Sequence, residues 1–210
     1  MKIGIIGSGK IGSTVAKQLV DTDHAVAIAN SRGADGAREV AAEVQAEATD
    51  IGGAARFGDV VLLAIPYGRY SELPADAFAG KIVVDATNYY PERDGPIEAL
   101  DAKSATASGL IAEHLSDAKV VKALNTMYYV TLGEEARPDQ PREERLTLFV
   151  AGDDEDAKRT VSQLLEEIGF AAVDTGSLAD GGPLQETDGP LYNKPVLAAE
   201  GAELLAGARS

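Results

Sequence analysis

Seven short apolar, β-branched runs punctuate the chain: IGII at 3–6, AVAIA at 25–29, DVVLLAI at 59–65, KIVVDA at 81–86, KVVKAL at 119–124, RLTLFVA at 145–151 and AAVD at 171–174. Such near-continuous apolarity is what a strand buried on both faces of a parallel sheet requires. Helical patterns separate most of the runs, so the alternation predicts an α/β fold. The clearest helix lies in GDDEDAKRTVSQLLEEIGF: acids at 153–156 suit its positive N-terminal end, Ala157, Val161, Leu164, Leu165 and Ile168 form one apolar stripe, and Gly169 ends it. Two Gly-, Pro- and Asp-rich stretches, 88–100 and 176–190, read as long loops, which in a compact domain are often functional. A last amphipathic helix is expected in LYNKPVLAAEGAELLAGA, with Val196, Leu197, Leu204 and Leu205 packing on their own domain or across a homodimer.

Length and charge narrow the picture. At about 150 residues per domain, 210 residues make one domain with at most a small appendage. The expected division is residues 1–175 for the main domain and 176–210 for a C-terminal extension. Thirty-four acids against 19 Lys and Arg leave a net charge of −15, which repels nucleic acid and anionic membranes. With no cysteine, disulfide frameworks, thiolate nucleophiles and thiolate metal sites are excluded, and redox work needs a borrowed cofactor. Met1-Lys2 leads straight into IGIIG, and no apolar run approaches the roughly 20 residues of a membrane span, so a soluble, cytoplasmic chain is expected.

GIIGSGKIGSTVAKQLV carries the first chemistry. Gly7, Gly9 and Gly12 stand in the pattern G-x-G-x-x-G between a strand and a helix, as in a Rossmann-type dinucleotide site. The Gly7-Ser8-Gly9-Lys10-Ile11 turn is then positioned to meet a pyrophosphate with backbone N–H groups. The second strand ends at Asn30, about where an NAD site places a ribose-binding acid. Asn30 removes the repulsion a carboxylate would exert on a 2′-phosphate, Ser31 offers a hydroxyl and Arg32 a planar cationic fork, so the expected cofactor is NADP(H). The plainer alternative is a solvated Arg32, and for the nearby Arg38 a solvated helix face is the better reading. Ile65 and Pro66 close the third run, where they can pack on a nicotinamide or simply stop a strand. Asn88, Asn125 and Thr126 end the next two runs and can either bind a carboxamide or an acceptor, or cap the chain.

Proton-transfer groups are scarce. His24 and His114, the two histidines, read as structural or exposed, and the chain has no zinc-helix, nucleophile-elbow or Walker-type motif. No catalytic side chain and no metal ligand is therefore assigned; hydride transfer by alignment remains.

The segments GIIGSGKIG, NSRG, AIPYGRY, KIVVDATN, VVKALNTM, FVAGDDEDAKRTVSQLLEEIGF and VDTGSLADGGPLQE occur in the order found in the NADP oxidoreductase family dependent on the deazaflavin coenzyme F-420. The resemblance spans nearly the whole chain, and a similar series occurs in the soluble reductase domain of the six-transmembrane metalloreductases. It implies a Rossmann-type doubly wound, mainly parallel sheet, a short C-terminal helical extension that completes the acceptor pocket, and hydride exchange between NADP(H) and 8-hydroxy-5-deazaflavin or a flavin. It places Gly7 to Ile11 on the pyrophosphate, Ser31 and Arg32 on the 2′-phosphate, and Ile65 and Pro66 beside the nicotinamide. It also suggests a homodimer. Archaeal members tend to carry a histidine where Asn125 stands, and a further base where this chain reads Gly33-Ala34-Asp35-Gly36. Two other readings stand beside a deazaflavin or flavin reductase: a soluble ferric or flavin reductase, and an NADPH-sensing protein without turnover. A β-hydroxyacid dehydrogenase would need a larger helical domain than the roughly 35 residues after TGSL can build.

Overall fold

A computed structural model of the protein describes residues 1–209. In chain order the elements are β1 (Lys2–Ile6), α1 (Lys10–Asp21), β2 (Ala25–Ala29), α2 (Gly33–Val44), β3 (Glu47–Thr49), α3 (Ile51–Phe57), β4 (Val60–Leu63), β5 (Ile82–Asp85), α4 (Pro91–Asp94), α5 (Glu98–Asp101), α6 (Ala107–His114), β6 (Lys119–Lys122), α7 (Tyr129–Glu134), β7 (Thr147–Gly152), α8 (Glu155–Glu167), β8 (Ala171–Asp174), α9 (Gly182–Gln185) and α10 (Ala198–Ala208). Among the described residues the strands form one eight-stranded sheet in the order β3-β2-β1-β4-β5-β6-β7-β8. Neighbours run parallel except β6 and β7, which are antiparallel. The fold is thus a Rossmann-type, doubly wound, mainly parallel sheet.

The apolar runs are continuous because both faces are covered. Along β4, Val60 and Leu62 belong to the core beneath α1 and α8, whereas Val61 and Leu63 face Phe78, Ile111 and Leu115 on the other side. In α8 all five positions of the apolar stripe are buried, the Asp154 side chain accepts a hydrogen bond from the Ala157 N–H at 2.8 Å, and Gly169 turns the chain away at φ +97°.

The structure departs from the sequence reading in two places. The edge strand β3 is absent from the apolar runs because it is three residues long and polar. The stretches 88–100 and 176–190 are not plain loops: they hold the one-turn helices α4, α5 and α9, the first with Pro91 at its first position, where a missing N–H costs nothing. At the C-terminus, Leu205 of α10 is buried with Phe149 and Leu191, and Leu204 packs against them, so these two contacts are made within the chain. Leu197 is 42% exposed.

Candidate functional site

The sheet order reverses between β1 and β4, where an open α/β sheet leaves a crevice beyond its carboxyl edge. The turn after β1 explains its glycines sterically. Gly7 lies at φ +118°, and a Cβ there would sit 2.1 Å from the Ala64 carbonyl oxygen; a Cβ on Gly12 would sit 1.8 Å from that of Gly7. A Cβ on Gly9 would meet nothing within 4 Å, so its exposed backbone faces open space. Helix α1 starts there with no side-chain cap and no acid in its first turn. Its leading N–H groups and positive dipole end are available to an anion.

Two cavities flank this turn. One, of about 400 Å³, is lined by Gly9, Lys10, Ile11, Ile65, Pro66, Asn88, Asn125 and Thr126, together with Tyr90, Arg93, Tyr128, Tyr129, Tyr192 and Asn193. The other, of about 470 Å³, is lined by Gly7, Ser8, Gly9, Asn30, Ser31, Arg32, Ile65 and Pro66, with Arg69 and Glu72. Gly7 to Ile11, Asn30, Ser31, Arg32, Ile65, Pro66, Asn88, Asn125 and Thr126 thus each border one or the other of these two cavities, and Gly9, Ile65 and Pro66 border both; Gly12 and Arg38 border neither. In a chain of net charge −15, the first cavity carries Lys10 and Arg93 with no carboxylate among its described lining. The second has two arginines against one glutamate, itself ion-paired with Arg69. These are cationic concavities on an acidic molecule, suited to a polyanion.

Several side chains do something more specific than spacing indicates. Asn30 donates from Nδ2 to Ser8 Oγ at 2.9 Å and to the Gly36 carbonyl at 2.8 Å, while its Oδ1 accepts from the Arg32 N–H at 2.9 Å. It stitches the glycine turn to the start of α2 and fixes the loop from which the exposed Arg32 projects. Asn88 and Asn125 brace the exits of β5 and β6: Asn88 Nδ2 donates to the Asn125 carbonyl at 2.9 Å, and Asn125 Nδ2 to Asn88 Oδ1 at 3.1 Å and the Gln185 carbonyl at 2.7 Å. Leu124, just before Asn125, sits at φ +67°, an uncommon conformation for a branched residue that aims the following turn. His24 bonds to Glu167 and His114 to the Leu73 carbonyl, and neither imidazole lines either cavity.

The tyrosines were not anticipated. Tyr90 and Tyr192 share a hydrogen bond of 2.6 Å, and burial followed by that bond pushes the Tyr192 phenol up to about 12. Arg93 lies 4.9 Å from the Tyr90 ring centre and donates to the Asn88 carbonyl at 2.6 Å. The Tyr128 and Tyr129 rings stand 4.6 Å apart, and Lys10 Nζ donates to the Tyr129 hydroxyl at 2.7 Å. The C-terminal segment enters through Tyr192 and Asn193, whose N–H donates to the Thr126 carbonyl at 2.9 Å. A signal existed: NYY and MYY each follow a strand at the carboxyl edge. Also unanticipated is a buried cluster behind this wall. Asp85 accepts from the Thr87 hydroxyl at 2.6 Å and the Ser108 hydroxyl at 2.5 Å, and it pairs with Lys122 at 3.5 Å.

A glycine turn delivering a bare helix end to the switch point, with cations on either side, has the form of a Rossmann-type dinucleotide site. Residues 2–89 match the family model described as NADP oxidoreductase, coenzyme F420-dependent. It is 30% identical over 182 residues to the metalloreductase STEAP3 of Rattus norvegicus, covering 85% of this chain but only 34% of that protein, so it spans about a third of that relative's length. Among solved structures, hypothetical protein SMa0349 of Sinorhizobium meliloti is 33% identical with a TM-score of 0.80, over 94% of this chain and 95% of that one. A candidate F420-dependent NADP reductase from Arthrobacter sp. FB24 shares the fold at 24% identity and a TM-score of 0.70, over 99% of this chain and 90% of that one. Among the described residues no helix is long and apolar enough to cross a membrane, and no three His, Cys, Asp or Glu side chains gather as metal ligands would.

Proposed function

We infer that the protein exchanges hydride between NADP(H) and a planar conjugated ring, a deazaflavin or a flavin. The observation that carries this reading is the wall of the 400 Å³ cavity: Tyr90, Tyr128, Tyr129 and Tyr192 surround the end of the crevice beyond Ile65 and Pro66, with no carboxylate or imidazole among the described lining. Aromatic walls suit a stacked ring, which packs offset or edge-on against tyrosine faces. When bound, the nicotinamide supplies the hydride.

The chain's own residues do the positioning. The N–H groups of Gly9, Lys10 and Ile11 take the pyrophosphate, Ser31 and Arg32 take the 2′-phosphate, and Asn30 orients their loop. Ile65 and Pro66 support the nicotinamide, while Asn125 and Thr126 line the acceptor side and Asn88 braces it. The residues from 176 onward complete the acceptor pocket through Tyr192 and Asn193. Within GSLADGGPLQE the Gln185 carbonyl holds Asn125 from behind, and Ala179, Pro183 and Glu186 line a neighbouring cavity. The test is NADPH oxidation followed by stopped flow, with deazaflavin, riboflavin, FMN, ferric chelates, and small carbonyl and imine compounds as acceptors. Reduction of a ring is expected; turnover of a small carbonyl or imine with neither ring reduced would refute the reading, and binding without any turnover would favour a sensor. The likeness to a metalloreductase supports one variant, in which a reduced flavin hands its electrons on to ferric iron.

A further inference from the structure

We propose that Tyr129 is the proton donor to the acceptor, with Lys10 as the group that activates it. This assignment rests on the hydride-transfer reading above and adds a catalytic residue to it. Tyr129 opens α7, and its half-buried side chain lines the same cavity wall as Ile65 and Pro66. Lys10, the first residue of α1, donates to the Tyr129 hydroxyl at 2.7 Å and lies 4.3 Å from the ring centre. Because the ammonium can only donate, the phenol oxygen is the acceptor in that bond and its own hydrogen is free to point elsewhere. The hydrogen bonds from Lys10, and then from Tyr128, hold the Tyr129 phenol below the usual tyrosine range.

The other titratable groups around the cavity do not compete. Tyr90 and Tyr192 are bonded to one another, Tyr192 near 12, and Arg93 is bound to Asn88 and Asp94 and cannot give up a proton. Tyr128 is more than half exposed, and its phenol is raised, first by its bond with Tyr129.

The chemistry needs such a donor. In the reduction, the C4–H bond of the nicotinamide breaks and a C–H bond, or N–H in a flavin, forms on the ring with the same electron pair. Negative charge then builds on a conjugated ring nitrogen or oxygen. The Tyr129 O–H bond breaks, its proton goes to that atom, the phenolate is held by the Lys10 ammonium, and solvent returns a proton to it. One NADPH and one proton are consumed per acceptor reduced, and the reverse reaction uses the phenolate as base.

The test compares wild type, Tyr129→Phe and Tyr192→Phe. Tyr129→Phe keeps the ring and the cation above it, so the fold is preserved. Its kcat is expected to fall about a hundredfold, within the usual range for general acid catalysis, while the NADPH dissociation constant stays within about threefold. In wild type kcat should decline at alkaline pH as the phenol ionises; Tyr129→Phe should lose that limb and Tyr192→Phe should keep it. Independently of activity, the tyrosinate absorbance of the wild-type protein should show one phenol titrating below the rest, missing in Tyr129→Phe. An unchanged kcat, or an alkaline limb that survives in Tyr129→Phe, overturns the proposal. The comparison is made on whichever acceptor wild type reduces. Turnover of an imine or carbonyl alone therefore refutes the ring reading while still deciding the role of Tyr129, and no turnover with any acceptor refutes both.

Discussion

Replacing Arg32 by alanine separates a cofactor contact from a structural one. The backbone N–H of Arg32 is already held by Asn30 Oδ1, and the exposed guanidinium makes one long bond, 3.3 Å, to the Gly36 carbonyl. Losing the side chain therefore costs the fold little, within the half kilocalorie or so typical of surface changes. A hydrogen bond between charged groups is worth about 1.5–3 kcal/mol, and the exposed position argues for the lower end because water and salt screen it. About 1.5 kcal/mol corresponds to roughly tenfold in dissociation constant. NADPH binding, read by titrating its fluorescence, should weaken by about that factor in Arg32→Ala. NADH should bind wild type at least about tenfold more weakly than NADPH and should be nearly indifferent to the substitution. Equal dissociation constants for the two cofactors in wild type, or equal weakening of both in the variant, would refute the assignment of NSRG to the 2′-phosphate. Arg69 borders the same cavity but is engaged by Glu72, so it is not expected to rescue the loss.

Three further outcomes follow from the packing. Gly12→Ala places a methyl 1.8 Å from the Gly7 carbonyl oxygen, and the overpacking should cost about 1–3 kcal/mol and weaken NADPH as well, measured by thermal melting and titration. Lys122→Met leaves Asp85 buried without its cation and should destabilise by about 3–5 kcal/mol in chemical denaturation, much of it recovered in the double variant with Asp85→Asn. For the proposed homodimer, light scattering at micromolar concentration should give twice the chain mass, and a monomeric mass would remove the proposal; the exposed Leu197 is the position to change first.

The strands were legible because burial on both faces leaves an unbroken apolar signature, and α8 was legible because one apolar stripe and an acidic first turn are local facts. β3 was not, since three half-exposed residues at a sheet edge have no period to detect. The one-turn helices were hidden for a similar reason: four residues carry too little pattern to stand out from the turns around Pro91 and Pro183. The cofactor half of the crevice could be read because its parts cluster in sequence: a glycine turn, then a strand end about 20 residues later.

The acceptor half is built differently. Lys10 meets Tyr129 across 119 residues and Tyr90 meets Tyr192 across 102, so no local spacing announces either pair. One long-range pairing did leave a trace. KIVVDA and KVVKAL each carry a charged residue late in an apolar run, an acid fifth in one and a base fourth in the other. Parallel pairing in register sets Asp85 beside Lys122, which is why both are tolerated at full burial. The same register brings the following residues out side by side, with Asn88 bonded to Asn125 and a tyrosine doublet beyond each strand. A charge matched across neighbouring strands therefore marks the depth at which the sheet ends and the tyrosine wall begins.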